Sequence, residues 1–329
     1  MEPMQDSDYS GLFHEKLLKQ YTDFALLEKR KTSVLFRATK SGTETAYLVK
    51  VFDSQNQAHE DDSALKIESF IRKAFVQLKF KHANLLKIVD CDLDLRDSKL
   101  FVVFPYHPSL KQLLIEKKEI NVIKMFNDIK SALIYARDYF QITHGTLNPE
   151  SIYYDQAKDV YLVSRLTFPY VSLNQEEQNA RCYLNYLQSV PQNYLSPELT
   201  MLNNLEEFAL DIGLIDVYSL ALVVLECLGI DRKLFAYLQT GIEDDIHYTL
   251  LLKGILEESS SHSQNSTQMK KLLFNMLQKA PEKRPHLKDI VLDEEPDSKP
   301  ILEETVQPSM TKKVILNLHI IRISREWTA

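Results

Sequence analysis

Glycine is the residue this chain most lacks. Seven occur in 329 residues, at positions 11, 42, 145, 213, 229, 241 and 254. An average soluble chain of this length carries roughly twenty-three. No two lie close together, so no glycine-rich loop can let backbone N–H groups close around a phosphate without a Cβ in the way. Whatever the chain folds into, it does not build a phosphate cradle of that kind.

Otherwise the composition is that of an ordinary globular protein, 44% hydrophobic and 26% charged, with apolar mass for one large or two modest domains. A formal charge of -7 supplies no basic field for nucleic-acid phosphates or an anionic membrane, so neither partner is expected. Cys91, Cys182 and Cys227 are odd in number and widely spaced, with no CxxC pair. That argues against a disulfide framework and a cysteine-rich zinc site and fits a reducing compartment. The first ten residues are polar and acidic, without the charged-then-apolar order of a signal peptide, and the expected location is cytoplasmic, with the nucleus as the alternative.

Apolar and β-branched runs at 24–27, 34–36 and 47–49, parted by polar turns such as Ser41-Gly42, predict a meander of strands. Helical spacing of apolar residues predicts one amphipathic helix over 62–81, and 85–89 and 100–104 return to strand composition. Beyond Pro105 the pattern predicts helices over 110–117, 122–139, 214–228 and 270–279, with Pro281 and Pro285 as stops. Strands first and helices afterwards predict an α+β fold of two lobes, a small β-rich N-lobe and a larger helical C-lobe, not an alternating βα sheet. The expected divisions are an N-terminal extension over 1–22, the N-lobe over 23–106, the C-lobe over 107–292, and an acidic linker with a C-terminal tail over 293–329. The most apolar stretch, 214–230, contains Asp216 and Glu226 and is shorter than the roughly twenty residues that cross a bilayer. The serine-rich run over 258–268 reads as a surface loop. Alternation from Val314 onward reads as a short strand that either packs on its own domain or adds to another sheet edge.

Six motifs then occur in order: Tyr47-Leu48-Val49-Lys50, His82-Ala83-Asn84-Leu85-Leu86, His144-Gly145-Thr146-Leu147-Asn148-Pro149-Glu150-Ser151-Ile152, Leu195-Ser196-Pro197-Glu198, Asp216-Val217-Tyr218-Ser219-Leu220 and Arg284-Pro285. Each alone is weak. Together, across about 23–292, the set resembles a eukaryotic protein kinase domain. The resemblance implies that Lys50 lies on the strand that contacts ATP, with Leu35 as the apolar roof of the adenine pocket, Phe104 at its back and His107 in the hinge. Glu68 is the candidate partner of Lys50 on the first helix, although the family's usual spacing to His82 falls on Lys73. Structural roles fall to His144, to Asp216 as acceptor for the catalytic-loop backbone, and to Glu198 and Arg284 as an ion pair.

Phosphoryl transfer in this family is positioning and electrostatics, and the groups for it differ here. The three glycine positions of the covering loop fall on Glu28, Arg30 and Ser33. Thr146 stands at the base position, where a hydroxyl cannot hold a proton at neutral pH; general-base help contributes on the order of 10²- to 10⁴-fold. Asn148 replaces the lysine near the transferred group, Ser151 the magnesium-holding asparagine, Ser164 the aspartate of Asp-Phe-Gly with Arg165 after it, and Gly145 the arginine that would meet a phosphorylated activation segment. Hard divalent cations prefer carboxylate oxygens, so magnesium is not expected. Asp155 and Asp159, the nearest acids, are expected in a turn, pointing to solvent. The resemblance and its losses imply a catalytically impaired kinase-like domain, a pseudokinase. It would act as a signalling scaffold or allosteric partner of another protein, such as an active kinase, and need no cofactor, with residual ATP binding left open. The alternatives are a weak ATP-dependent serine/threonine kinase working through Lys50 and a divergent structural domain that binds no nucleotide.

Overall fold

A computed structural model describes residues 15–29, 33–53, 81–94, 99–140, 143–164, 191–200, 212–240, 245–258 and 266–292. Arg30, Glu68, Lys73, Arg165, the expected helix as far as residue 80, the acidic linker and the tail lie outside them.

Five strands make the first lobe: β1 (Tyr21–Lys29), β2 (Ser33–Lys40), β3 (Ala46–Asp53), β4 (Asp90–Asp94) and β5 (Lys99–Pro105). They form one sheet in the order β1-β2-β3-β5-β4, every neighbouring pair antiparallel. Strand alternation divides β3 between two clusters: Val49 and Val51 pack with Phe36 and Phe101, Leu48 and Phe52 with Val102 and Phe104. A short helix, α1 (Glu15–Gln20), precedes the sheet, and its Leu17 is buried beside Tyr21 in the first of these clusters. Folded structure therefore begins before residue 23.

The expected strand over 85–89 is not one. Leu85, Leu86 and Ile88 are buried, but the backbone here joins the second lobe: Leu86 N–H donates to Val163 O at 2.9 Å, Val163 N–H to Asn84 O at 2.8 Å, and Asn84 Nδ2 to Tyr161 O at 3.1 Å. Strand composition reflects burial as much as sheet pairing, and here burial wins without a ladder.

The second lobe holds α2 (Leu110–Ile115), α3 (Val122–Phe140), a hairpin of β6 (Ile152–Asp155) and β7 (Val160–Val163), then α4 (Pro197–Thr200), α5 (Ile212–Cys227), α6 (Phe235–Thr240), α7 (Asp245–Glu258) and α8 (Ser266–Met276). Helix α5 is apolar all round because it is surrounded: Val217, Tyr218 and every residue from Leu220 to Leu225 are completely buried. Helix α3 packs beside it and carries the hairpin, with Asp128 Oδ2 accepting from Tyr161 N–H at 2.9 Å. No helix among the described residues is long and apolar enough to cross a membrane.

Candidate functional site

Lys50 sits in the middle of the sheet, with Leu35 of β2 on one side and Val102 of β5 on the other in register. It shares its face of β3 with Leu48 and Phe52, and its Nζ lies 4.9 Å from the centroid of the Phe52 ring, within cation–π range. The expected covering loop is mostly strand. Pairing of β1 with β2 runs as far as Lys29 opposite Val34, Glu28 lies opposite Leu35, and Ser33 is buried at the start of β2 opposite Phe52. Two of the three positions assigned to a phosphate-covering loop are thus held in the ladder.

Phe104, next to last in β5, lies opposite Leu48 and is buried. His107 follows in the connection and is half-buried. Desolvation lowers its pKa; the negative charge of Asp155 works against that and the positive charge of Lys158 adds to it. Tyr154 N–H donates to Pro108 O at 3.0 Å, which fastens the connection to β6.

Below this lie the loop from Thr143 to Ser151 and, past the β6–β7 hairpin, Ser164. Thr146, Asn148, Ser151 and Ser164 are 2%, 3%, 2% and 7% exposed. Asn148 Nδ2 donates to Thr146 O at 2.9 Å, Glu150 N–H to Asn148 Oδ1 at 2.9 Å, and Asn148 N–H to Ser151 Oγ at 3.1 Å. The Ser151 hydroxyl donates to Asn148 O at 2.8 Å, and Ser164 N–H to Ser151 O at 2.8 Å. His144 Nε2 lies 3.1 Å from Ser164 O. A carbonyl only accepts, so the ring proton belongs on Nε2, and Nδ1 is left to accept from Thr146 N–H at 3.4 Å. Gly145 has φ 75°, a left-handed conformation that glycine adopts without strain.

Ser151 and Ser164 carry hydroxyls, not carboxylates, and are buried, whereas a magnesium ion takes oxygen ligands in a near-octahedral shell. Among the described residues, no group of three or more His, Cys, Asp or Glu side chains could hold a metal ion.

Asp155 corrects the expectation of a solvent-facing turn acid, for its residue is only 4% exposed. Its carboxylate folds back over the β6–β7 turn, accepting from Ala157 N–H at 3.1 Å and from Lys158 Nζ at 2.8 Å. Burial alone would raise its pKa, but the Lys158 hydrogen bond and the charges of His107 and Lys158 prevail and hold it low. An aspartate that opens a turn caps the following N–H groups, and that inward pull overrides its preference for water. Asp159 is exposed and accepts from Tyr154 OH at 2.8 Å.

The framework residues meet. Asp216 accepts from His144 N–H and Gly145 N–H, both at 2.7 Å; α5 begins four residues earlier, so Asp216 is not its N-cap. Arg284 makes a two-pronged ion pair with Glu198 at 2.6 and 2.8 Å. It also donates to Gln278 O, Lys279 O and Leu214 O, and lies over the Tyr218 ring. Two residues were missed by the sequence reasoning. Tyr194 is buried and donates its hydroxyl to Glu226. Burial raises the pKa of both groups, and the Glu226 charge adds to the rise at Tyr194. Tyr153 follows the catalytic-loop motif directly: alternation in β6 sends Ile152 into the helical core and Tyr153 into the sheet-side cluster. That alternation was the readable signal.

A five-stranded antiparallel lobe joined through a short connection to a helical lobe, with a loop held on a buried aspartate of the central helix, defines a two-lobed α+β kinase fold. Residues 26–294 match the protein kinase domain family, and the chain belongs to that family. It is also similar to "Putative serine/threonine-protein kinase R436" of Acanthamoeba polyphaga mimivirus, at 22% identity over 284 residues, covering 83% of this chain and 93% of the viral protein.

Proposed function

We propose that this kinase-family domain is catalytically impaired and acts as a signalling scaffold or allosteric partner for another protein, in the cytoplasm or nucleus. One observation carries the reading. The four positions where transfer chemistry would require a base, a cation and metal ligands hold Thr146, Asn148, Ser151 and Ser164, all buried, the first three in one hydrogen-bonded loop and Ser164 bonded to it through its N–H. Loss of a general base alone raises the barrier by about 3–5.5 kcal/mol. With those groups turned inward, what the domain offers is its surface.

Similarity to a viral protein named as a putative serine/threonine kinase favours a second reading, a weak ATP-dependent kinase of that type working through Lys50. Radiolabelled ATP with the full chain, a generic acceptor protein and magnesium distinguishes them. The scaffold reading expects no label above background. Label that disappears in Lys50→Ala sinks it and supports the enzyme.

A further inference from the structure

On β3, Leu48 and Phe52 flank Lys50, and across from them β6 presents Tyr153. Leu48 is 2% exposed and Tyr153 8%. Both belong to one apolar cluster with Phe52, Phe104 and Leu162, and Leu35 and Tyr106 pack against it. The cluster therefore runs without a break from the sheet of the first lobe to the hairpin of the second. At its margin, the Arg37 guanidinium lies 5.1 Å from the centroid of the Tyr106 ring, joining β2 to the inter-lobe connection.

Roof and floor side chains that sandwich a planar base touch the base and not each other. Here Leu48 and the back residue Phe104 share a cluster with Tyr153 from the second lobe's hairpin, and the expected roof residue Leu35 packs against it. A tyrosine side chain has nearly the thickness and much of the area of a base, so it can take a base's place against aliphatic walls. We propose that Tyr153, with Leu48, fills the space between the lobes where an adenine ring would lie, and that Arg37 over Tyr106 covers its mouth. The lobes are then clamped by this chain's own side chains, and the surface shown to a partner does not depend on a nucleotide. Cutting Tyr153 back creates a site for an uncharged planar heteroaromatic such as adenosine, without need of a metal. Packing between the lobes, and not the missing carboxylates, is what excludes the base.

Thermal unfolding of the full chain with and without adenosine tests this, using wild type, Tyr153→Ala and Tyr153→Leu. The wild-type Tm is expected not to move with adenosine. Tyr153→Ala is expected to melt several degrees lower and to recover about 3–5 °C at adenosine ten times its dissociation constant. If the alanine variant does not fold, Tyr153→Leu carries the test, with a smaller drop and a smaller recovery. A wild-type Tm raised by adenosine, or a folded Tyr153→Leu protein with unchanged Tm and no adenosine response, overturns the proposal. Adenosine binding by the wild type without label transfer overturns it while leaving the scaffold reading intact; label transfer from ATP, which needs the base bound, overturns both.

Discussion

Two buried polar regions of the helical lobe meet at His144 and differ in what they bury. Around Asp216 and Arg284 the chain buries full charges. Asp216 receives two N–H donors at 2.7 Å, and Arg284 is wrapped by Glu198 and three carbonyls. Thr146, Asn148, Ser151 and Ser164 are instead neutral polar residues, held by hydrogen bonds within their own loop and to the strand beside it. An ionised side chain survives burial only where donors or a partner charge already face it. The first region supplies them from rigid backbone and helix. The second points backbone N–H groups at a histidine ring and a serine hydroxyl, so its donors are taken by neutral acceptors.

Removing a charge from the first region should have the largest effect. Arg284→Ala strands the Glu198 carboxylate and three carbonyls, an expected loss of about 3–5 kcal/mol, or roughly 6–20 °C in Tm for a domain of this size. Calorimetry measures it, and a drop below about 2 °C would mean that the buried charges do not hold the lobe. Adding a charge to the second region sharpens the contrast. Thr146→Asp places a carboxylate where the loop's N–H groups already have acceptors, with an expected loss of about 1–3 kcal/mol, read from the urea midpoint, and no label transfer from ATP. Recovered transfer would show that the loop lacks one group and is otherwise competent.

The skeleton was more legible in the sequence than the site. Apolar and β-branched runs parted by polar turns marked β1 to β3, and the motif order aligned Lys50 with β3 and Asp216 with α5. Helix α7 was missed because its buried residues Tyr248, Leu251, Leu252 and Ile255 are interrupted by exposed Ile246 and Leu250 and by Gly254, which blurs the apolar stripe that periodicity detects. The site was half-read. Substitution was visible at Thr146, Asn148 and Ser164 as loss of charge and at Ser151 as loss of an amide, but their burial and bonding depend on loop geometry that no spacing encodes. Asp155 was misjudged because an aspartate in a turn reads as solvated until its own capping bonds are seen. Tyr153 was passed over because its effect comes from the other lobe, through a contact distant in sequence.

The gentlest probe of the neutral region is pH. His82 Nδ1 accepts from Asn84 N–H at 3.1 Å, just where Asn84 ties the chain to β7, and a ring nitrogen that accepts cannot also carry a proton. Burial lowers the pKa of His82 from 6.5, with Asp128 opposing. The unfolded chain thus takes up its proton at higher pH than the folded one, so this contribution is complete above about pH 6.5 and is lost as pH falls from there toward the lower folded value. His107 has the same sign. Glu226 has the opposite sign, because burial raises its pKa and the folded state gains the proton first. The informative quantity is therefore the difference between wild type and His82→Gln, not either profile alone. The variant is expected to lose about 1–3 °C less in Tm between pH 7 and pH 5. Parallel Tm profiles would mean that the ring's protonation does not disturb the link from Asn84 to β7, and that the neutral network is less tightly specified than the charged one.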